Sequence, residues 1–170
     1  MIGLPERTEA ASYYFTYIDR VTEPNIVARL ESQHDQILAL LRGISEEKSL
    51  HRYAPGKWSI REAWGHVNDT ERVFLHRALW FARGFETPLA SFDQEIAVQG
   101  AQSDKIDWAA HVEEFRTIRL GTLTFFRNLP ADAWMRSGIA SDNRVTVRAL
   151  AFIIAGHVAH HEAILRERYL

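Results

Sequence analysis

Apolar residues recur at helical spacing in four long stretches of the chain, with polar residues between them. The first stretch predicts a helix from about Glu23 to Arg42. Pro24 falls in its first turn, where a missing N–H costs nothing. Ile26, Leu30, His34, Ile37, Leu38 and Leu41 form its stripe, and Gly43 ends it. The second stretch predicts a helix over Ile60–Ala82. Ser59 and Glu62 stand at the spacing of a capping box, so this start is well marked. Ile60, Ala63, Trp64, Val67, Phe74, Leu75 and Ala78 supply its stripe, and Gly84 ends it. The third helix is expected from about Trp108 to Asn128, with Asp107 as its cap and Pro130 marking the stop. Gly121 inside it costs about 1 kcal/mol relative to Ala unless close packing needs it. The fourth is expected from about Val147 to Tyr169, capped by Thr146, with Val147, Leu150, Ala151, Ile154, Val158 and Leu165 facing inward.

No stretch alternates cleanly enough to demand a sheet, and Phe15–Ile18 is at most a short extended piece. Four amphipathic helices of about 20 residues predict an all-α, four-helix bundle built as a single domain over residues 1–170. The connection from Arg83 to Asp107 exceeds the roughly 12–15 residues usual in compact domains. It is long enough to cross the bundle and let helices two and three run in the same direction. Ser91 and Gln94 suggest a short capped helix within it.

Composition narrows the chemistry. The chain of 170 residues is 46% hydrophobic and 25% charged, the balance of a globular domain with a real core. A formal charge of −2 excludes a strongly basic nucleic-acid binder. No apolar run approaches the roughly 20 residues of a membrane helix. The start of the chain lacks the basic and apolar regions of a secretory signal, so a cytoplasmic location is expected. Cysteine is absent, which removes disulfides, thiolate metal sites and cysteine nucleophiles. A metal site must then be built from the 8 histidines, carboxylates and water.

The histidines concentrate in Gly156-His157-Val158-Ala159-His160-His161-Glu162. Residues four apart share a helix face, so His157 and His161 point the same way, and both continue the inward series. Two imidazoles one turn apart form a chelating pair for zinc, nickel or iron. The alternative is a pair of buried core histidines with hydrogen-bonded ring nitrogens. His160 lies about 100° round the helix from His161, on the flank, where a supporting or a solvent-exposed role fits equally. The protease motif H-E-x-x-H is not present, because position 158 is Val and Glu162 faces away from the pair. A catalytic metal needs a third ligand from a facing helix. His66 is the candidate, although its spacing places it at the edge of the second stripe. Glu71 falls near the centre of that stripe and needs a partner. It could orient a ligand, bind the metal, or pair with an arginine such as Arg148. His34, His51, His76 and His111 carry no such pattern.

The run Tyr53-Ala54-Pro55-Gly56-Lys57-Trp58-Ser59-Ile60-Arg61-Glu62, then Gly65-His66-Val67 and Glu71-Arg72, resembles the DinB/YfiT-like family. So does Val145-Thr146-Val147-Arg148-Ala149-Leu150 leading into Gly156-His157-Val158-Ala159-His160-His161, and the likeness is to the DinB_2-type subgroup. The resemblance implies an up-down-down-up bundle and a divalent metal held by His66, His157 and His161. It implies metal-dependent chemistry on a small-molecule substrate, either S-transfer from an external low-molecular-weight thiol or hydrolysis. No catalytic residue beyond the ligands stands out, so a non-catalytic metal- or ligand-binding module remains the alternative. The segment 83–106 is placed to shape a substrate pocket. A homodimer agrees with the resemblance and the aromatic content, with no interface legible in the chain.

Overall fold

The structure, a computed structural model, describes residues 2–170. Its frame is four long helices: α2 (Ile26–Arg42), α4 (Ile60–Ala82), α6 (Trp108–Arg127) and α7 (Val147–Ile164). Shorter elements sit between them: α1 (Phe15–Ile18), α3 (Glu46–Ser49), α5 (Gln94–Ala101) and a hairpin of β1 (Ser137–Ala140) and β2 (Asn143–Thr146). The capping box forms as expected, with Ser59 accepting from the Glu62 N–H and Glu62 accepting from the Ser59 N–H. Thr146 caps α7 by accepting from the Ala149 N–H.

Polar contacts between helices give their directions. Asn68 meets His111 and Glu114, and Glu71 meets Arg119 and Thr122, so α4 and α6 run in the same sense. Glu31 pairs with Arg127 while the Trp108 indole donates to the Leu41 carbonyl, so α2 opposes α6. His66 near the start of α4 meets His157 and His161 near the end of α7, so those two helices are antiparallel. The order is up-down-down-up. The crossover between α4 and α6 carries the chain back along the bundle, as its length requires.

Several expected boundaries shift, each for a local reason. The first long helix begins at Ile26 rather than Glu23, because the Asn25 side chain captures the Ala28 N–H. Pro24 therefore precedes the cap. Asp107 makes no side-chain cap; instead Glu46 of α3 accepts from the Trp108 N–H at 2.9 Å. Asp93, not Ser91, caps α5. The last turn of the fourth helix widens into a π-helix over Leu165–Tyr169. Phe15–Ile18 is helical rather than extended. Apart from the helix's own backbone, no atom among the described residues lies within 4 Å of the Cβ position of Gly121, so close packing does not account for that glycine.

The hairpin is the main departure from the predicted all-helical reading. Ser137 pairs with Thr146 and Ala140 with Asn143, leaving a two-residue turn of Ser141 (φ 50°) and Asp142 (φ 62°). Left-handed conformations at both positions match the primed turns that suit strand twist, but glycine, the usual signal, is absent from the turn. Leu89 in the crossover pairs with the end of β1 around Ala140, donating to the Ile139 carbonyl and accepting from the Ser141 N–H. The crossover and the hairpin thus lie against one another.

The core divides into two apolar clusters. One, around Phe74, Phe81, Phe126, Phe152 and Ile154, fills one end of the bundle. The other, around Ile37, Leu41, Trp64, Phe115 and Val158, fills the opposite end. Burial of this apolar area, at about 25 cal/mol per Å², supplies most of the driving force. Between the clusters lies a polar layer.

Candidate metal centre

The polar layer has two parts. On the α6 side, Glu71 receives Arg119 through Nε and Nη2 at 2.9 and 2.8 Å, and the Thr122 hydroxyl donates to it at 2.8 Å. Arg119 Nη1 donates to Gln33 Oε1, and Gln33 Nε2 donates to the Ala155 carbonyl. Glu71 thus finds its partner in Arg119 rather than Arg148, which pairs with Glu9. Both carboxylate oxygens are taken, and Glu71 is bonded to none of the histidines.

On the α7 side, three imidazoles converge. His66 from α4, with His157 and His161 from α7, place a ring nitrogen each within 4.8 Å of one another, and the group could hold a metal ion. Nε2 of His157 lies 3.2 Å from Nε2 of His66 and 3.1 Å from Nε2 of His161. The edge position expected of His66 understated its burial, because Trp58 stands over its ring at 5.1 Å. Two glycines let neighbours press against the backs of the ligand-bearing turns. A Cβ at Gly156 would overlap the Tyr17 carbonyl, and one at Gly65 would overlap the Ser103 hydroxyl.

The electrostatics suit a cation. Burial pushes His66 down to about 4. Burial, together with His66 and His160, pushes His161 down to about 3. Burial and the three neighbouring histidines hold His157 well below its ordinary 6.5. All three are neutral near pH 7, with lone pairs available as ligands.

The nitrogen spacing tests the fit. Ligand nitrogens about 2.0–2.1 Å from one tetrahedral ion stand about 3.3 Å apart, close to the two separations seen here. A hydrogen-bonded explanation is incomplete, because a single Nε2 of His157 faces two other Nε2 atoms and can donate one proton at most. On the far side of His66, Nδ1 lies 3.3 Å from the Thr70 hydroxyl, the kind of contact that orients a ligand ring.

His160 faces Tyr17 at 5.4 Å and His161 at 5.2 Å between ring centroids, and its Nδ1 is buried without a hydrogen-bond partner among the described residues. His111 accounts for itself differently, being buried with Nε2 against the Ser103 carbonyl. A pocket of about 140 Å³ opens beside His66 and His157 and runs along α4 to Arg77. The crossover contributes Phe92 and Gln94 to its wall, as its placement suggested. The periodicity of the chain gave no reason to expect the other contributors: Tyr13, Tyr14 and Tyr17 from the N-terminal segment, and Ser141 from the hairpin turn.

The fold and the site together define a four-helix bundle with a candidate tri-histidine metal centre. A family model described as the DinB superfamily matches residues 29–165, and the chain belongs to that superfamily. In shape it is similar to YfiT from Bacillus subtilis, described as a probable metal-dependent hydrolase with an unusual four-helix bundle topology. That likeness has a TM-score of 0.71 at 16% identity and covers 96% of this chain and 89% of YfiT. No curated protein sequence matches the chain. No helix among the described residues is long and apolar enough to cross a membrane.

Proposed function

We propose that the protein is a divalent-metal-dependent enzyme acting on a small molecule, with His66, His157 and His161 as the metal ligands. The observation that carries this reading is the convergence of three neutral imidazoles, His66 and His157 buried and His161 half-buried, with two of their nitrogen separations at tetrahedral spacing. An all-imidazole set suits zinc, nickel or iron and leaves a coordination position open. Such a dication, when bound, lowers the pKa of a water or thiol in the open position. The chain's own residues hold the ligands in place. Thr70 orients His66, Gly156 seats the α7 turn against Tyr17, and His160 braces the ring of His161.

Glu71 is committed to Arg119, so it is not free to act as a general base. The nucleophile is then one activated without a protein base, either water in a hydrolase or an external low-molecular-weight thiol in an S-transferase. With no cysteine in the chain, any sulfur comes from outside. The second reading is a non-catalytic metal- or ligand-binding module, favoured by the same lack of a free carboxylate beside the triad.

Elemental analysis of protein purified without a histidine tag tests the metal. About one equivalent is expected. Less than one-tenth, with no rise in melting temperature on adding zinc or nickel, would sink the reading. Turnover with a panel of thiols, electrophiles and hydrolysable esters separates the enzyme from the binding module.

A further inference from the structure

Three arginines are almost fully buried: Arg61 and Arg77 at 4% exposure and Arg119 at 0%. Arg61 pairs with Glu46 and Arg119 with Glu71. Arg77 has no carboxylate within 4.0 Å among the described residues. Its partners are neutral: the Tyr14 hydroxyl at 3.4 Å, the Ala90 carbonyl at 3.2 Å and the Ser141 hydroxyl at 3.0 Å. A buried cation without a counter-charge is costly. These contacts use Nη1 and Nη2 and leave the Nε–H without an acceptor among the described residues.

Arg77 also lines the pocket that His66 and His157 line. The hairpin turn and the crossover clamp the guanidinium in place, and Ser141 does so from a left-handed backbone conformation (φ 50°) that non-glycine residues seldom adopt. Burial raises the pKa values of Tyr13 and Tyr17, so these phenols stay neutral and supply no counter-charge.

We propose that Arg77 is the binding residue for a carboxylate on the substrate, a step that rests on the metal-dependent reading of the same pocket. A guanidinium with unused donors matches the planar, singly charged carboxylate in shape and charge. Three helical turns, about 16 Å of axis, separate His66 from Arg77 on α4, so the carboxylate is remote from the reacting bond. The substrate is an elongated small molecule with an acidic end at Arg77 and its reactive end at the histidines. By the measure on which one water needs about 10–15 Å³, the pocket holds the volume of roughly ten waters, which suits a slender chain.

The probe is suberic acid monohydroxamate, which carries a metal-binding hydroxamate at one end and a carboxylate at the other. Its methyl ester is the neutral control, and both are titrated against zinc-loaded protein. The acid is expected to bind at least tenfold more tightly than the ester. Arg77→Met should erase that preference and leave ester affinity unchanged, while Arg77→Lys restores part of it. Equal binding of acid and ester to the wild type overturns the proposal without needing any variant to fold.

A second arm uses metal-free protein with octanoate and octanamide. Octanoate alone is expected to raise the melting temperature, and to lose that effect in Arg77→Met. If the protein takes up no zinc but octanoate still binds through Arg77, the metal reading fails and the carboxylate site stands. If zinc and both hydroxamates bind without preference and octanoate does nothing, the reverse holds.

Discussion

Two polar clusters share the middle layer of this bundle, and they differ in whether their hydrogen bonds close. In the Glu71–Arg119–Gln33 cluster, both carboxylate oxygens and every guanidinium nitrogen have a complementary partner. In the histidine cluster, three Nε2 atoms face one another with no complementary group between them. The first is a finished internal ion pair that joins α2, α4 and α6. The second is a set of like donors held together by the packing around them, which is what a site for an external cation requires. Burial and polarity are common to both, so neither property alone distinguishes structure from function. Complementarity does.

Substitutions in either cluster test this difference. The largest effect is expected at the closed cluster. Glu71→Ala leaves the Arg119 charge buried and unpaired, and should cost about 3–5 kcal/mol of stability by chemical denaturation. If the variant still folds, it should bind metal with the wild-type stoichiometry. Loss of metal with stability intact would move Glu71 into the metal site.

At the open cluster the signature reverses. His157→Ala and His161→Ala should each abolish metal uptake, and with it the stabilisation of about 2.7 kcal/mol expected at a metal concentration 100 times the Kd. Full occupancy in either variant would remove that residue from the ligand set.

Gly156→Ala forces α7 away from the Tyr17 carbonyl. A cost of about 1–3 kcal/mol is expected from overpacking, with weaker metal binding because the following residue is His157. A melting temperature and metal affinity equal to the wild type would show that the close approach does not matter.

Acid titration of the metal-free protein sharpens the contrast. A histidine whose folded pKa lies below its ordinary value binds its proton more readily in the unfolded chain, so stability is lost as pH falls. For His66 the window runs from 6.5 down to about 4, and for His161 down to about 3. Urea midpoints should therefore fall as the pH drops from 6.5 to 5, and His157→Leu should flatten that slope by removing one of the three groups. A slope equal in the two proteins would place the acid sensitivity elsewhere.

The parts of the molecule that depend on local chemistry were legible in the chain. Ser59 and Glu62 marked the start of α4 because a capping box is decided within four residues. His157 and His161 declared themselves as a pair because helical geometry alone sets their spacing. The crossover is long enough to allow parallel α4 and α6, and the family resemblance implies them. The hairpin was not legible, since its turn residues, Ser141 and Asp142, adopt left-handed conformations without the glycine that usually signals them. The cap of α6 was misassigned because the group that captures the Trp108 N–H comes from α3, distant in sequence.

Four helices, the His157–His161 pair and the exclusion of any cysteine chemistry can be read from the chain alone, and the family resemblance adds His66. Helix periodicity and composition are properties of neighbouring residues and need no fold to be read. It takes the folded bundle to show that Glu71 belongs to Arg119, that His66 is buried under Trp58, and that Arg77 shares a pocket with the histidines while lacking a carboxylate of its own among the described residues. Each of these depends on which groups meet across the bundle. A buried charge or lone pair takes its role from the partner it finds there, and that partner lies elsewhere in the chain.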